Sequence, residues 1–501
     1  MAKSGNIASK GCCLQGKRIV VTAEEFERSE HRGIATYAKA LLNSLKEKGA
    51  EVWLLSELDP VIKYGALRRL PSQTRELISS SYVLDGLAIG ATDKLWSIER
   101  RFPWIKRASN IRKTFKKLIQ LLTIQRKVGK SHMHKIELNK QFDNPYLRIE
   151  RLKYLENIDG IICVKNIFRR SQWLSMSKHL HTISIDLEGF DALFITSPQN
   201  ITATGVTSVV QTIHDLIPLE DGNSSPEQMI SFTRRLQACN SNHRLFVSRS
   251  TAKKYHQHIG TYEKSTQKPL ETIIVQPPSL QTPDWTIGSS NTSSDLEPCT
   301  QWLIPRGRAE KNSLSPFRYM LFNSSVDPRK NLLFLITAYI ESNLSCQDIK
   351  LCITGKFKKD DYSKRVQTMI KQDSSILLTG YVSENQKLDL YLNAMALLSP
   401  SLVEGFGIPV LDAACLGLTA LASDSDSHLE IQAMEDFADW VVIAKTLESR
   451  DWAIAMQAIS FKNAEIVNDI RQERKRRLRR YNQLKTKITE KFGEQISTMV
   501  N

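Results

Sequence analysis

The chain has 501 residues, of which 41% are hydrophobic and 24% charged. That mix can bury a core, which excludes wholesale disorder and collagen-like repeats; at roughly 150 residues per domain the length predicts two to four domains. Lys and Arg number 69 against 53 Asp and Glu, a formal charge of +16 that points to an anionic partner and says nothing about fold.

No apolar run reaches the roughly 18 residues of a membrane-spanning helix, and the N-terminus lacks an apolar signal core. Eight cysteines without a CxxC pair read as reduced thiols. These features predict a cytosolic protein.

Arg18–Thr22 (RIVVT) reads as a short buried strand. After a charged loop, a helix starts at about Gly33, because Ile34, Tyr37, Ala38, Leu41, Leu42 and Leu45 recur at intervals of three and four. Gly49 ends it, and Glu51–Leu55 is the next strand. This β-α-β opening is the unit of a parallel, doubly wound sheet. Further strands are expected at Gly160–Val164, Ala192–Thr196, Ser208–Ile213, Arg244–Val247 and Thr272–Val275.

From 276 to 316 the chain turns to Pro, Ser, Thr, Asn and Gly and reads as a linker or surface insertion. A second α/β unit follows. Strands are predicted at Tyr319–Asn323, Ile349–Thr354, Ile376–Leu378, Ala396–Ser399 and Thr419–Ala422, with helices at Leu332–Ile340, Leu388–Leu392 and Pro409–Leu416. The expected organisation is an N-terminal Rossmann-like domain over 1–275 with a basic insertion at about 60–150, the linker at 276–316, a C-terminal domain over 317–465 and a basic helix over 466–501. The fold class is α/β, with two facing Rossmann-like domains and a cleft between them.

Two segments are strongly basic. Over 99–130, cations alternate with apolar residues such as Phe102, Trp104, Ile111 and Phe115. This pattern reads either as solvated helix faces or as an amphipathic helix on an anionic membrane surface. Near the C-terminus, RQERKRRLRR spans Arg471–Arg480 and has the same bland reading of solvated faces. No RNP, zinc-finger or KH pattern accompanies either run, so no nucleic-acid partner is expected. The HxH triplets at His132/His134, His179/His181 and His256/His258 lack further ligands at sensible spacing, so no metal site is expected.

Three motifs carry chemistry. In Asp327-Pro328-Arg329-Lys330, Asp327 suits an N-cap and Pro328 the first helical position. Arg329 and Lys330 then fall in the first helical turn, where cations are unfavourable unless an anion is bound there. Thr354-Gly355-Lys356 ends a strand where α/β ligand sites open. In Glu404-Gly405-Phe406-Gly407, two glycines permit positive φ and close backbone approach, and Pro409 opens a helix that Gly417 ends. Glu404 and Asp412 present two carboxylates to one region, and carboxylates suit sugar hydroxyls better than phosphates.

SLVEGFGIPVLDAACLGLTALASD, preceded by VDPRKNLLFLITAY, ITGK and TGYVSENQKLDLYLNA, resembles the retaining GT-B glycosyltransferases of family 4, in the branch with mannosyltransferases. TIHDLIPLE and HRGIATYAKALLNSLKEKGAEVWLL resemble the N-terminal half of the same family. The resemblance implies a hexosyltransferase that uses a nucleotide diphosphate-sugar donor, with no cofactor or metal, and a glycan or lipid-linked acceptor bound by the N-terminal domain.

By the same resemblance, Arg329, Lys330 and Lys356 would neutralise the diphosphate, and Val382 in the loop Gly380–Val382 would border the nucleobase. Glu404 would contact the donor sugar, Gly405, Phe406 and Gly407 would offer backbone N–H groups, and Asp412 would take the ribose hydroxyls. His214 would face the reacting centre, and Gly33 would admit the diphosphate to the first loop. Asp412 stands where the family has a glutamate, and Ser324 or Ser325 where many relatives have an arginine. The alternatives are a non-catalytic binding or scaffold protein and a sugar-nucleotide epimerase on the same fold.

Overall fold

Alternating strands and helices of the kind read from the sequence fold into two α/β units in a computed structural model. It describes residues 13–28, 33–60, 69–90, 126–138, 150–177, 180–220, 222, 224–260, 269–282, 302–306, 310–464 and 469–500. One unit comprises residues up to Val247 with Thr251–Gln276 and Thr489–Asn501; the other comprises Ser248–Ser250 and Pro277–Ile488.

In the first unit, eight strands lie in the spatial order Glu271–Ile273, His243–Phe246, Ser208–Ile213, Ala192–Ile195, Arg18–Thr22, Glu51–Ser56, Gly160–Cys163 and His134–Glu137. All neighbours pair in parallel except the last, which runs antiparallel to Gly160–Cys163. The strand order reverses between Arg18–Thr22 and Ala192–Ile195, the first and fourth parallel strands in sequence. The helix Gly33–Glu47 covers this sheet with Tyr37, Ala38, Leu41, Leu42 and Leu45 buried, the stripe its periodicity predicts.

The second unit carries six parallel strands in the order Ile376–Gly380, Lys350–Thr354, Tyr319–Asn323, Ala396–Ser399, Ala420–Ser423 and Val441–Ala444. Numbered by sequence this is 3-2-1-4-5-6, the doubly wound order. Its core gathers Met320, Phe322, Leu335, Ile336, Tyr339, Leu351, Ile353, Leu398 and Trp452.

The segment 276–316 differs from a plain linker. Pro277 onward belongs to the second unit, and Trp302–Arg306 pairs with Glu310–Leu314 as an antiparallel hairpin. Of the basic insertion, residues 61–68, 91–125 and 139–149 lie outside the described residues, and with them most of the basic segment 99–130. Lys127–Val128 forms a short strand beside Ile183–Asp186, and Lys130 pairs with Glu188 on the surface. No described helix is long and apolar enough to cross a membrane.

The C-terminal basic run is corrected more sharply. It forms the start of the helix Ile470–Ser497, and the Arg474 and Arg477 side chains are each only 2% exposed. Arg477 Nη1 donates to the carbonyls of Tyr391, Leu392 and Ala394 at 3.3, 3.2 and 2.9 Å, while its Nε donates to Glu473 at 2.9 Å. Those carbonyls end the helix Glu384–Asn393, where orphan acceptors and the negative end of the dipole want a cation. Arg474 donates to Asn393 at 2.8 Å and to Asp389 at 2.9 Å. Arg474 and Arg477 are internal clamps, while Arg471, Lys475, Arg476 and Arg479 of the same run are exposed, as the solvated reading expects. Arg477→Met is therefore expected to lower stability by about 1–3 kcal/mol, because three buried carbonyls lose their donor while Glu473 keeps Arg476. Urea unfolding followed by tryptophan fluorescence checks it; an unchanged midpoint contradicts the clamp.

Candidate functional site

In a doubly wound sheet the ligand crevice opens at the carboxyl ends of the strands, where the strand order reverses. In the second unit that point lies between Tyr319–Asn323 and Ala396–Ser399, which pair in parallel at Met320 and Ala396. The loops leaving these two strands are residues 324–330 and 400–407, the two strongest motifs of the sequence. Topology therefore brings them side by side although residues 331–399 separate them in the chain. Leu402 N–H donates to the Arg329 carbonyl at 2.8 Å and ties the loops together.

The Pro-Arg-Lys motif is built differently from the expectation. Asp327 does cap a turn, accepting from Arg329 N–H at 3.3 Å, but Pro328–Lys330 is a separate 3₁₀ turn. Asn331 is left-handed at φ 55°, and the α-helix begins at Leu332. Arg329 and Lys330 thus precede the helix rather than occupying its first turn, and carboxylates hold them. Lys330 Nζ forms a short ion pair with Glu404 Oε1, and Arg329 Nη1 stands 3.8 Å from Glu404 Oε2. Arg329 Nε is also 3.8 Å from Asp327, which Lys358 pairs.

The Lys330 and Glu404 side chains are 9% and 11% exposed. Burial alone would raise the Glu404 carboxyl, but the charges of Lys330 and Arg329 outweigh it and hold Glu404 down at about 2. Burial pushes the Lys330 ammonium down, and the Glu404 charge pulls it back. Glu404 is therefore ionised at neutral pH and purely an acceptor.

Gly407 sits at φ +99°, and a Cβ there would stand 2.9 Å from His428 Cδ2. The turn therefore needs glycine on both conformational and steric grounds. It leads into the helix Ile408–Leu416, and Phe406 is buried beside it. On the neighbouring strand end, Gly355 is at φ +142°, and a Cβ would lie 1.9 Å from the Ser324 carbonyl oxygen. Glycine there lets the Lys356 loop press against the Ser324–Ser325 loop, and Lys356 O accepts from Val326 N–H at 3.1 Å. Gly380 is left-handed at φ 71°, and the next residue, Tyr381, is 81% exposed; Val382 is half-buried.

Asp412 is not open beside Glu404 as expected. It is 2% exposed. Its Oδ1 accepts from Ser279 N–H at 2.6 Å and from the Tyr481 hydroxyl at 3.1 Å, and its Oδ2 accepts from Ser279 Oγ at 2.5 Å. Burial raises its pKa, opposed by the Ser279 hydroxyl, Lys387 and Tyr481. In this geometry both oxygens are engaged in fastening the Pro277–Leu280 stretch and the C-terminal helix.

His214 and Gly33 belong to the first unit. His214 follows the strand Ser208–Ile213, and its Nε2 lies 2.7 Å from the Thr196 carbonyl. A carbonyl only accepts, so Nε2 carries the proton and Nδ1 is the bare acceptor. Burial holds His214 down at about 4, so the ring is neutral at pH 7. Tyr37 meets it edge-on at 4.9 Å, which links it to the helix that Gly33 opens. Among the described residues nothing lies within 4 Å of a Cβ built on Gly33. Its neighbours His31 and Arg32 lie outside the described residues.

The sequence reading missed Ser427, whose hydroxyl donates to the Glu404 carbonyl at 2.8 Å and lies 3.2 Å from that of Gly405. It also missed the fully buried His428 next to it. The available signal was SDSDSHLE, polar residues directly after the strand Ala420–Ser423, where a helix must start next to the site.

Comparison with known proteins bears on the same region. Residues 305–475 match the family model of the glycosyl transferases group 1. O-antigen chain mannosyltransferase B of Escherichia coli is 28% identical over 141 residues, 26% of this chain and 37% of that protein. The serotype-specific mannosyltransferase WbdA of Escherichia coli is 28% identical over 131 residues, 25% of this chain and 16% of that protein. The match thus spans well under half the length of either relative.

Among solved structures, Anabaena Alr3699/HepE in complex with UDP superposes with a TM-score of 0.51 at 11% identity, covering 96% of this chain and 100% of that one. TarM gives a TM-score of 0.50 at 10% identity, covering 98% and 99%. These likenesses establish the α/β fold of the GT-B class.

The ion pair makes a pH prediction. The Glu404 carboxyl is held below its unfolded value, so its stabilisation is complete above about pH 5 and is lost as pH falls from about 4.5 to 2, on the order of 3 kcal/mol. Glu404→Gln should lack this acid limb. Stability measured between pH 5 and 2 for both proteins checks it, and parallel curves contradict it.

Proposed function

We propose that this protein is a retaining glycosyltransferase that moves a hexose from a nucleotide diphosphate-sugar to a glycan or lipid-linked acceptor without a bound metal. The observation that carries the reading is the meeting of Arg329 and Lys330 with Glu404, beside the Gly405–Gly407 turn, at the strand-order reversal of the second unit. As the glycosidic bond breaks, negative charge develops on the leaving diphosphate, and preorganised cations at that spot lower the barrier. Arg329 is the cation with room to serve, being 26% exposed, while Lys330 and Glu404 fix each other.

In the front-face reaction we assign, the acceptor oxygen bonds to the anomeric carbon on the face that the diphosphate oxygen leaves. The acceptor's proton passes to that departing oxygen. Glu404, ionised and proton-free, accepts hydrogen bonds from donor sugar hydroxyls. Lys356 contributes positive charge, and the Gly380–Val382 loop with Tyr381 borders the base. A ribose contact by Asp412 requires exchange with its Ser279 and Tyr481 hydrogen bonds.

The names of the Escherichia coli relatives suggest mannose as the hexose, and the UDP bound to HepE marks uridine nucleotides among the first to try. Placement on the inner face of a membrane through 99–130 is part of the same proposal.

A second reading, a binding protein without transfer activity, draws support from the engagement of Asp412. A thermal-shift screen across UDP-, GDP-, ADP- and dTDP-sugars tests the donor, since a specific ligand raises the midpoint by mass action. Arg329→Ala is expected to weaken the donor that binds by about 1.5–3 kcal/mol, the scale of a charge-assisted contact. Calorimetry with unchanged affinity contradicts the site. Turnover of donor by the wild type and none by Glu404→Ala excludes the binding-only reading.

A further inference from the structure

The serine-rich stretch after Ala420–Ser423 has a part in the site that the sequence reading did not assign. Ser423 Oγ stands 2.6 Å from the Ser401 carbonyl, and a carbonyl only accepts, so Ser423 spends its single proton there. His428 Nδ1 lies 2.9 Å from the same Oγ and 3.3 Å from the Ser423 carbonyl. Both partners can then only accept, so Nδ1 must be the protonated nitrogen. Nε2 is left as the acceptor, with Ser399 Oγ 3.4 Å away.

The same ring faces the glycine turn. A Cβ on Gly407 would stand 2.9 Å from His428 Cδ2 and 3.2 Å from Nε2. Next to it in sequence, Ser427 donates to the Glu404 carbonyl at 2.8 Å. Two consecutive side chains of the helix Asp426–Gln432 thus hold both ends of the loop: Ser401 through Ser423 and His428, Glu404 and Gly405 through Ser427, and Gly407 by contact.

We propose that His428 is a positioning residue for donor transfer: as the neutral Nδ1–H tautomer it locks Ser423 and Ser401 and packs over Gly407, holding the Glu404–Gly407 backbone where the donor sugar must meet it. Being wholly buried, it acts through the loop rather than on the donor. Burial keeps the ring neutral, against the pull of Glu404, which agrees with the tautomer drawn from the hydrogen bonds. The role rests on the glycosyltransferase reading.

Three variants separate positioning from packing. His428→Leu keeps the volume and removes the donor. His428→Asn keeps an N–H donor near the place of Nδ1. Ser423→Ala removes the link to Ser401 and one acceptor of Nδ1 while leaving the ring itself in place. Displacement of reacting groups by about 1 Å costs on the order of a hundredfold in rate. His428→Leu is therefore expected to lose about that factor in kcat, with a smaller change in donor KM. Ser423→Ala should move in the same direction, and His428→Asn should restore most of the loss.

A long-range ¹H–¹⁵N spectrum of the wild type, with the His428 signals identified by their absence in His428→Asn, should show Nδ1 protonated and Nε2 bare. Wild-type kcat in His428→Leu, no rescue by Asn, or a protonated Nε2 overturns the role alone. A wild type that turns over no nucleotide diphosphate-hexose overturns the transferase reading and the role with it.

Discussion

An ammonium and a carboxylate buried together survive only if the desolvation of both is offset by close, well-directed contact. Lys330 and Glu404 meet that condition with Arg329 as a second cation, and much of the second unit's local structure serves to keep them there. The 3₁₀ turn at Pro328–Lys330 and the left-handed Asn331 set Lys330 ahead of the helix rather than on it. The Leu402–Arg329 backbone bond closes the gap between the two loops. Gly407 accepts a conformation and a closeness to His428 that no other residue tolerates without strain. A site organised around an ion pair presents its charge already ordered, so little reorganisation is needed when charge develops on a ligand.

The positive surplus of the chain is partly spent inside. Arg474 and Arg477 satisfy the end of the helix Glu384–Asn393, and the Arg477 guanidinium stacks 4.9 Å from the Phe317 ring. Net charge therefore overstates what is available to an anionic partner outside the site. The same helix Ile470–Ser497 brings Tyr481 to Asp412 and, further on, Phe492 to Tyr37. One long C-terminal helix thus contributes to the core of the first unit and to the polar network under the helix Ile408–Leu416 of the second.

Much of the second unit was legible from residues alone. Tyr319–Asn323 and Ala396–Ser399 were read with their observed bounds, because short apolar runs closed by turn residues have few other solutions. The grouping of Arg329, Lys330 and Glu404 followed from motifs at strand ends. The hairpin Trp302–Arg306 with Glu310–Leu314 was not legible, since WLIPR carries a proline, EKNSL is polar, and only pairing defines the two as strands. Ser427 and His428 were missed for a related reason: a serine or a histidine near a helix start is ordinary until the loop it bonds is known.

Periodicity, glycine placement and charge are local properties, and they sufficed for the class of each element, the doubly wound character of both halves and the identity of the charged groups. What those groups face emerges only once the chain is packed. Asp412 was read as open to a ligand, yet Ser279 and Tyr481, 133 and 69 residues away, engage both its oxygens. The basic run at Arg471–Arg480 was read as solvated, and four of its cations are, yet Arg477 within it closes a helix eighty-odd residues upstream. A hydrogen bond or a buried charge is a relation between distant residues, and strand order and packing, which no local pattern encodes, choose the partner.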